Sequence, residues 1–216
     1  MRLSTGGSAV LAAVLLLTGC GGGSSGRKAP LASLDAAQVG NLLHGGVLSP
    51  ADNEPHLVLT DTDGHRFDVR HEGDGKVTLV YFGYTHCPDV CPTTMADIAE
   101  ALRRSSAEIR RRVVVVFVTV DPHRDRLPVL RHWLDAFSPS FVGLRGTLGQ
   151  VVAAQRAAGL PVSKVDPNGK TVEHSAEVLA YTPDHVAHVV YFEGPSTTDD
   201  LRHDLPILTR AVAYGA

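Results

Sequence analysis

Val77-Thr78-Leu79-Val80-Tyr81-Phe82 runs directly into Gly83-Tyr84-Thr85-His86-Cys87-Pro88-Asp89-Val90-Cys91-Pro92, so an apolar run ends at two thiols where a helix-like run begins. The apolar stretch suits a strand buried on both faces. Both cysteines fall between prolines and polar residues at the expected sheet edge, where a thiol can react or bind, and not inside an apolar run. Pro92 fits the first turn of a helix, which puts Cys91 close to a helix N-terminus. The positive end of the helix dipole favours thiolate, the form that acts as nucleophile and metal ligand. Three readings follow: a dithiol/disulfide redox pair, a metal site in need of further ligands, or a structural disulfide. A disulfide here would close a short loop and restrict the unfolded chain only weakly.

Outward from the motif, Met95, Ile98, Ala99 and Leu102 recur at helical spacing, which predicts an amphipathic helix over 92–109. A second apolar strand follows at 113–120. Strand, helix and strand make a βαβ unit with parallel pairing and a right-handed crossover. Parallel neighbours end on the same edge, so Cys87 and the Asp121-Pro122 pair share one rim, the usual place for a binding crevice in α/β folds.

Upstream, 57–61, the turn-like Thr62-Asp63-Gly64 and 66–69 read as a β-hairpin. Downstream come a helix over 127–137, a short strand over 141–144, and a helix to about residue 158 opened by the capping box Thr147-Leu148-Gly149-Gln150. A second hairpin, 177–181 with 187–192, turns around Pro183-Asp184-His185. A final helix over 199–212 takes Thr197 or Thr198 as its cap.

This is a thioredoxin-like α/β arrangement: a central mixed sheet flanked by helices, with an N-terminal β-hairpin. In it the first strand of the second hairpin runs antiparallel to the cysteine strand, so its start returns to the cysteine rim. His174-Ser175-Ala176 stands just before that start. Topology thus brings Cys87, Cys91 and His174 toward one place, although their spacing alone does not require it. Two thiolates and an imidazole suit copper, and three donors match the low coordination number of Cu(I). Structural zinc normally takes four protein ligands.

The chain has 11 histidines, so one near the cysteines is weak evidence by itself. His86, beside Cys87, can bind in place of His174, or point away and tune the thiols. The plain reading of His123, His185 and His188 is solvated or packing histidines. Asp121 either caps the turn after its strand or acts as an acceptor near the thiols that orients a ligand or meets a partner. Arg124 and Asp125 read as a local surface ion pair.

At the N-terminus, Arg2 precedes an apolar stretch over 9–17 that is too short to span a bilayer and reads as an export signal. Leu17-Thr18-Gly19-Cys20 resembles the lipobox of bacterial lipoproteins, which implies cleavage before Cys20 and lipid attachment to it. Residues 1–19 are then a signal peptide and 20–46 a lipidated tether, with Gly21-Gly22-Gly23-Ser24-Ser25-Gly26 too polar to build a core. Residues 29–49 are mildly apolar with little periodicity. The folded domain is expected over 47–216, the size of one domain. Of three cysteines, lipidation of Cys20 leaves Cys87 and Cys91 as the free thiols of an exported protein. With 20 Lys+Arg against 23 Asp+Glu and no basic cluster interleaved with aromatics, nucleic acid is not an expected partner.

The segments 83–92, Asp121-Pro122-His123-Arg124-Asp125, Ser163-Lys164 and His174-Ser175, in this order, resemble the Sco/SenC family of copper-delivery proteins from about residue 58 onward. The resemblance implies a membrane-anchored thioredoxin-like protein on the outer face of the bacterial cytoplasmic membrane, with copper, as Cu(I) or Cu(II), held by Cys87, Cys91 and His174. It also implies a role in maturing the CuA centre of cytochrome c oxidase subunit II, by copper delivery, by reduction of that subunit's cysteines, or both. Other copper chaperones or thiol reductants would be further partners. This chain departs from the family pattern at Glu173, where Asp is frequent, at Arg126, where Thr is frequent, and in a short segment between Lys164 and His174.

Two functions compete on the same cysteines. A metallochaperone, not an enzyme, needs His174, and three residues between the cysteines, against the usual two of thioredoxin-like pairs, leave room for a metal. A thiol-disulfide oxidoreductase needs no histidine. A peroxidase on this fold would need one reactive cysteine with dedicated activating residues, which the paired motif does not resemble.

Overall fold

The computed structural model of the chain describes residues 34–166, 168 and 170–210. The signal, Cys20, the Gly/Ser stretch and the last residues of the expected final helix lie outside them. The elements are α1 (Ala36–Leu42), β1 (Gly46–Asn53), β2 (Val58–Asp61), β3 (Arg66–Asp68), α2 (Val69–Glu72), β4 (Val77–Gly83), α3 (Val90–Arg104), α4 (Ala107–Arg111) and β5 (Val113–Thr119). There follow α5 (Leu127–Asp135), β6 (Val142–Arg145), α6 (Leu148–Ala157), β7 (Lys164–Val165), β8 (Val172–Glu173), β9 (Val178–Tyr181), β10 (Val186–Tyr191) and α7 (Thr197–Leu208).

Every residue of β4 is buried, as its unbroken apolar run requires, and it lies inside an eight-stranded sheet of order β1-β10-β9-β4-β5-β6-β2-β3. β4 and β5 pair in parallel from Val77 opposite Val113 to Gly83 opposite Thr119, so both strands end side by side. β9 runs antiparallel to β4 with Val178 opposite Tyr81, which returns the start of β9 to that same edge. This is the thioredoxin-like plan expected from the sequence. α3 buries Cys91, Met95, Ile98 and Ala101 on one face, each large apolar side chain contributing about 1.5–3 kcal/mol. α7 packs beside α3, with the Thr198 hydroxyl donating to Asp97 at 2.8 Å.

The structure departs from expectation where polar side chains recruit backbone. The helix expected over 92–109 is two, because Ser105 donates back to the Ala101 carbonyl and Ser106 caps α4 by accepting from the Ile109 amide. The strand expected over 66–69 ends at Asp68, whose carboxylate caps the short α2. β2 joins β6 as well as β3, so the N-terminal hairpin is the outer part of the main sheet. α7 starts after Ser196; Thr197 and Thr198 lie inside it, with Thr197 bonded back to the Phe192 and Gly194 carbonyls.

The fold also begins before residue 47. α1 is held by a capping box between Asp35 and Gln38, buries Val39 and Leu43, and leads into β1, an edge strand on β10. Residues 36–46 of the expected tether therefore belong to the folded body.

Candidate metal centre

β4 delivers the chain to the rim at Gly83, a turn closes from the Tyr84 carbonyl to the Cys87 amide at 3.2 Å, and α3 starts at Val90. Cys91 and Pro92 thus occupy the first helical turn. Cys91 is fully buried and Cys87 nearly so, and both are free thiols. The Cys91 amide points at Cys87 Sγ at 3.4 Å, and the buried Tyr81 hydroxyl donates to Cys91 Sγ at 3.6 Å. Position 83 tolerates no side chain, since a Cβ there would lie 3.0 Å from Cys91 Sγ and 2.9 Å from the Tyr81 ring.

The third donor arrives on a two-stranded arm, β7 with β8, whose end carries His174. Nδ1 of His174 faces the Ser175 carbonyl at 2.7 Å, which assigns its proton to Nδ1 and leaves a lone pair on Nε2. Nε2 lies 3.2 Å from Cys91 Sγ. The Tyr84 and Tyr81 rings meet the imidazole edge-on, with centroids at 5.6 and 6.1 Å, and fix its plane. One ligand atom each from Cys87, Cys91 and His174 lie within 4.8 Å of one another.

Burial, reinforced by the hydrogen bond with Cys87, pushes the Cys91 thiol well above its ordinary range. In the metal-free protein desolvation thus overrides the helix-dipole effect expected from the sequence, and Cys91 carries a proton that it can donate to His174 Nε2. Burial lowers the His174 pKa and keeps the ring neutral, the form that ligates. The donor set fits a soft, low-coordinate metal: two sulfurs, one imidazole nitrogen, a proton that a metal can replace, and an orienting carbonyl behind the histidine.

The remaining candidates do not join this centre: Asp121, Asp125 and His86 lie beside it, and His185 and His188 lie toward the far end of the sheet. Asp121 caps its turn by accepting from the Arg124 amide at 3.3 Å and pairs with the Arg124 guanidinium. Arg124 in turn donates to the Lys170 carbonyl at 3.0 Å and lies over the Tyr84 ring at 5.7 Å, bracing the arm that carries His174. The expected Arg124–Asp125 surface pair is therefore wrong: Arg124 belongs to Asp121, and Asp125 is fully buried. Asp125 accepts from the Thr85 amide at 3.0 Å, the Thr85 hydroxyl at 2.6 Å and the Thr119 hydroxyl at 2.6 Å, tying the cysteine loop to the end of β5. His86 turns toward this carboxylate, with Nδ1 3.7 Å from it. His123 is exposed, His185 pairs with Glu54, and His188 is buried on β10.

Comparison with known proteins agrees with this frame. Residues 48–206 match the SCO1/SenC family model. The chain belongs to the SCO1/SenC family. A protein of Stutzerimonas stutzeri described as copper-binding is 31% identical over 154 residues, covering 70% of this chain and 74% of that one. The mitochondrial SCO2 homolog of Bos taurus is 31% identical over 150 residues, 65% of this chain, which spans 56% of its length. The structure of Bradyrhizobium japonicum ScoI with copper bound superposes with a TM-score of 0.63 at 30% identity, covering 73% of this chain and 99% of that one. The sequence reading did not see that Asp125 holds the cysteine loop or that the Tyr81 hydroxyl meets Cys91, and it quoted Gly83 without its close packing against that sulfur. The parallel register offered a signal for Asp125, because residues just after β5 must face the loop just after β4.

Proposed function

We propose that this protein carries one copper ion on Cys87, Cys91 and His174 and delivers it, as cargo, to the CuA centre of cytochrome c oxidase subunit II. The observation that carries this reading is the three-donor cluster itself. Two sulfurs and a neutral imidazole converge within 4.8 Å, and this cluster, among the described residues, holds no fourth His, Cys, Asp or Glu donor of the kind structural zinc demands. Copper bound to a homologous ScoI and membership of the family support the choice of metal.

The same thiols support a second role, reduction of the recipient's cysteines, since both are free and adjacent in space. In that role Cys87 and Cys91 are the redox pair, and a thiol reductant must restore them. Anchoring fits both roles: Cys20 carries the lipid after removal of residues 1–19, and the segment up to α1 holds the domain at the outer face of the cytoplasmic membrane. Among the described residues no helix is long and apolar enough to cross a membrane.

The test is copper stoichiometry on the anaerobically reduced protein, in both valences. One copper per chain, lost in Cys87→Ser/Cys91→Ser and weakened in His174→Ala, is the expected result. Equal affinity in the disulfide and dithiol forms would overturn copper carriage on this site.

A further inference from the structure

One buried side chain on β4 touches two of the three donors of the cysteine centre. Tyr81 is fully buried, and the strand pairing sets it opposite Phe117, whose ring lies 6.0 Å away. Its own ring meets the His174 imidazole edge-on at 6.1 Å, and its hydroxyl donates to Cys91 Sγ at 3.6 Å. A ring held between a neighbouring strand and the imidazole keeps that hydroxyl aimed at the sulfur. The other groups that face the two sulfurs as donors are backbone: the Cys91 amide toward Cys87 at 3.4 Å, and the Tyr84 amide toward Cys91. The Thr94 hydroxyl also faces Tyr81, but it donates to the Val90 carbonyl at 2.8 Å. Tyr81 is therefore the side-chain hydroxyl of the centre, and substitution can remove it without touching a metal donor.

We propose that the Tyr81 hydroxyl sets the valence preference of this centre, favouring Cu(I) over Cu(II) through its hydrogen bond to Cys91. The inference rests on the reading that Cys87, Cys91 and His174 carry copper. Two thiolates with Cu(I) leave a net negative charge in a buried pocket, whereas with Cu(II) the charges cancel. A buried charge is costly unless hydrogen bonds meet it. An O–H donated to a thiolate is strengthened by the charge that it meets, so it stabilises the Cu(I) state more than the Cu(II) state. It also draws electron density away from the sulfur, and hydrogen bonding around a cysteine sulfur is one of the levers that tune copper–thiolate potentials. Arg124, over the Tyr84 ring, has its charge matched by Asp121, so it leaves this compensation to the hydroxyl and the backbone amides.

The test is Tyr81→Phe in the full chain, which keeps the ring and its contacts with Phe117 and His174 and removes only the O–H. Thr94 keeps its bond to Val90, so no buried donor is stranded and the variant should fold. Affinities for Cu(I) and for Cu(II) are measured anaerobically by competition with a chelator selective for each valence, and the absorption spectrum of the Cu(II) adduct is recorded. The ratio of Cu(I) to Cu(II) affinity should fall by about 10-fold, the scale of one hydrogen bond to a charged group. For a one-electron couple, that is a fall of about 59 mV in the copper potential. The thiolate-to-Cu(II) charge-transfer band should move to lower energy, because a sulfur without its donor gives up electron density more readily. Tyr191→Phe is the control: it takes a buried tyrosine hydroxyl from Asp204, two strands from β4, and should change stability while ratio and band stay at their wild-type values. A wild-type ratio and band in Tyr81→Phe, or the same fall in Tyr191→Phe, overturns the proposal while copper carriage stands. Wild type that takes up neither valence overturns copper carriage and this inference with it.

Discussion

Cys91 Sγ stands 3.2 Å from His174 Nε2 although 83 residues separate them in the chain. The contact exists because β9 returns antiparallel beside β4, and it holds a proton where the proposed cargo binds. Replacing His174 by Ala removes one of three donors while leaving the thiols in the first turn of α3. Losing a supporting partner of a metal ligand already costs about 10–100-fold in affinity, and losing the ligand costs at least as much. Copper affinity of His174→Ala should fall by about 100-fold or more, with thiol-disulfide exchange of the cysteine pair retained. Competition titration against a copper chelator, alongside dithiol redox titration, checks both halves.

Asp125 sets the position of the loop that carries Cys87. Substitution by Ala strands three donors, the Thr85 amide and the hydroxyls of Thr85 and Thr119, in or near the buried interior. Unsatisfied buried groups of this kind cost roughly 2–4 kcal/mol together, a fall of roughly 5–15 °C in Tm for a domain of this size. Thermal unfolding of Asp125→Ala should show that fall, and copper affinity should drop with it. A variant as stable as the wild type would mean that the buried carboxylate is not what ties the loop to β5.

Gly83 is the point of closest backbone approach to the reactive sulfur. A methyl group at this position meets Cys91 Sγ at 3.0 Å, the Tyr81 ring at 2.9 Å and the Phe117 ring at 3.0 Å. All three belong to the buried core, so relief requires movement of the sulfur or of β4 itself. Overpacking of this order costs about 1–3 kcal/mol. Gly83→Ala should therefore lower both Tm and copper affinity, and Gly64→Ala, at a position with positive φ and open space around it, should lower Tm alone. Unfolding and copper titration of the two variants side by side separate site strain from loss of stability.

Which parts of the molecule could be read from the chain follows from the kind of signal that each leaves. β4 and β5 are long apolar runs, and with the amphipathic α3 between them they dictate the parallel pair and the rim. Cys87 and Cys91 were visible for the same reason, as thiols set against a strand end. The arm of β7 and β8 has two residues per strand and no periodicity, so the approach of His174 followed from topology alone. Asp125 was misread because its neighbour Arg124 offered a nearer partner, and only its burial and its bonds from Thr85 and Thr119 show that the carboxylate faces inward. β1 is largely exposed and carries Pro50 and Asp52, so its place on the edge of the sheet comes from backbone pairing with β10, which no side-chain pattern announces.

Protonation of Cys91 governs how the site responds to pH. Burial raises its folded pKa above the ordinary thiol value of 9.0, so near neutrality copper must displace a proton from this sulfur. His174 is shifted the other way, by desolvation, and enters the reaction neutral at pH 7 without releasing a proton. Log affinity should thus climb between pH 6 and 8, by up to about one unit per pH unit for each thiol proton released. Metal-free stability has the opposite dependence on the alkaline side. Above the unfolded thiol pKa the unfolded chain loses the Cys91 proton while the folded chain keeps it, so the folded state binds more protons and its stability falls as pH rises. Reduced wild type should lose more stability above pH 9 than Cys91→Ala does, measured by denaturant unfolding across the pH series. A copper affinity flat in pH, with no proton release in calorimetry across buffers of different ionisation enthalpy, would show that Cys91 binds as a thiolate formed beforehand.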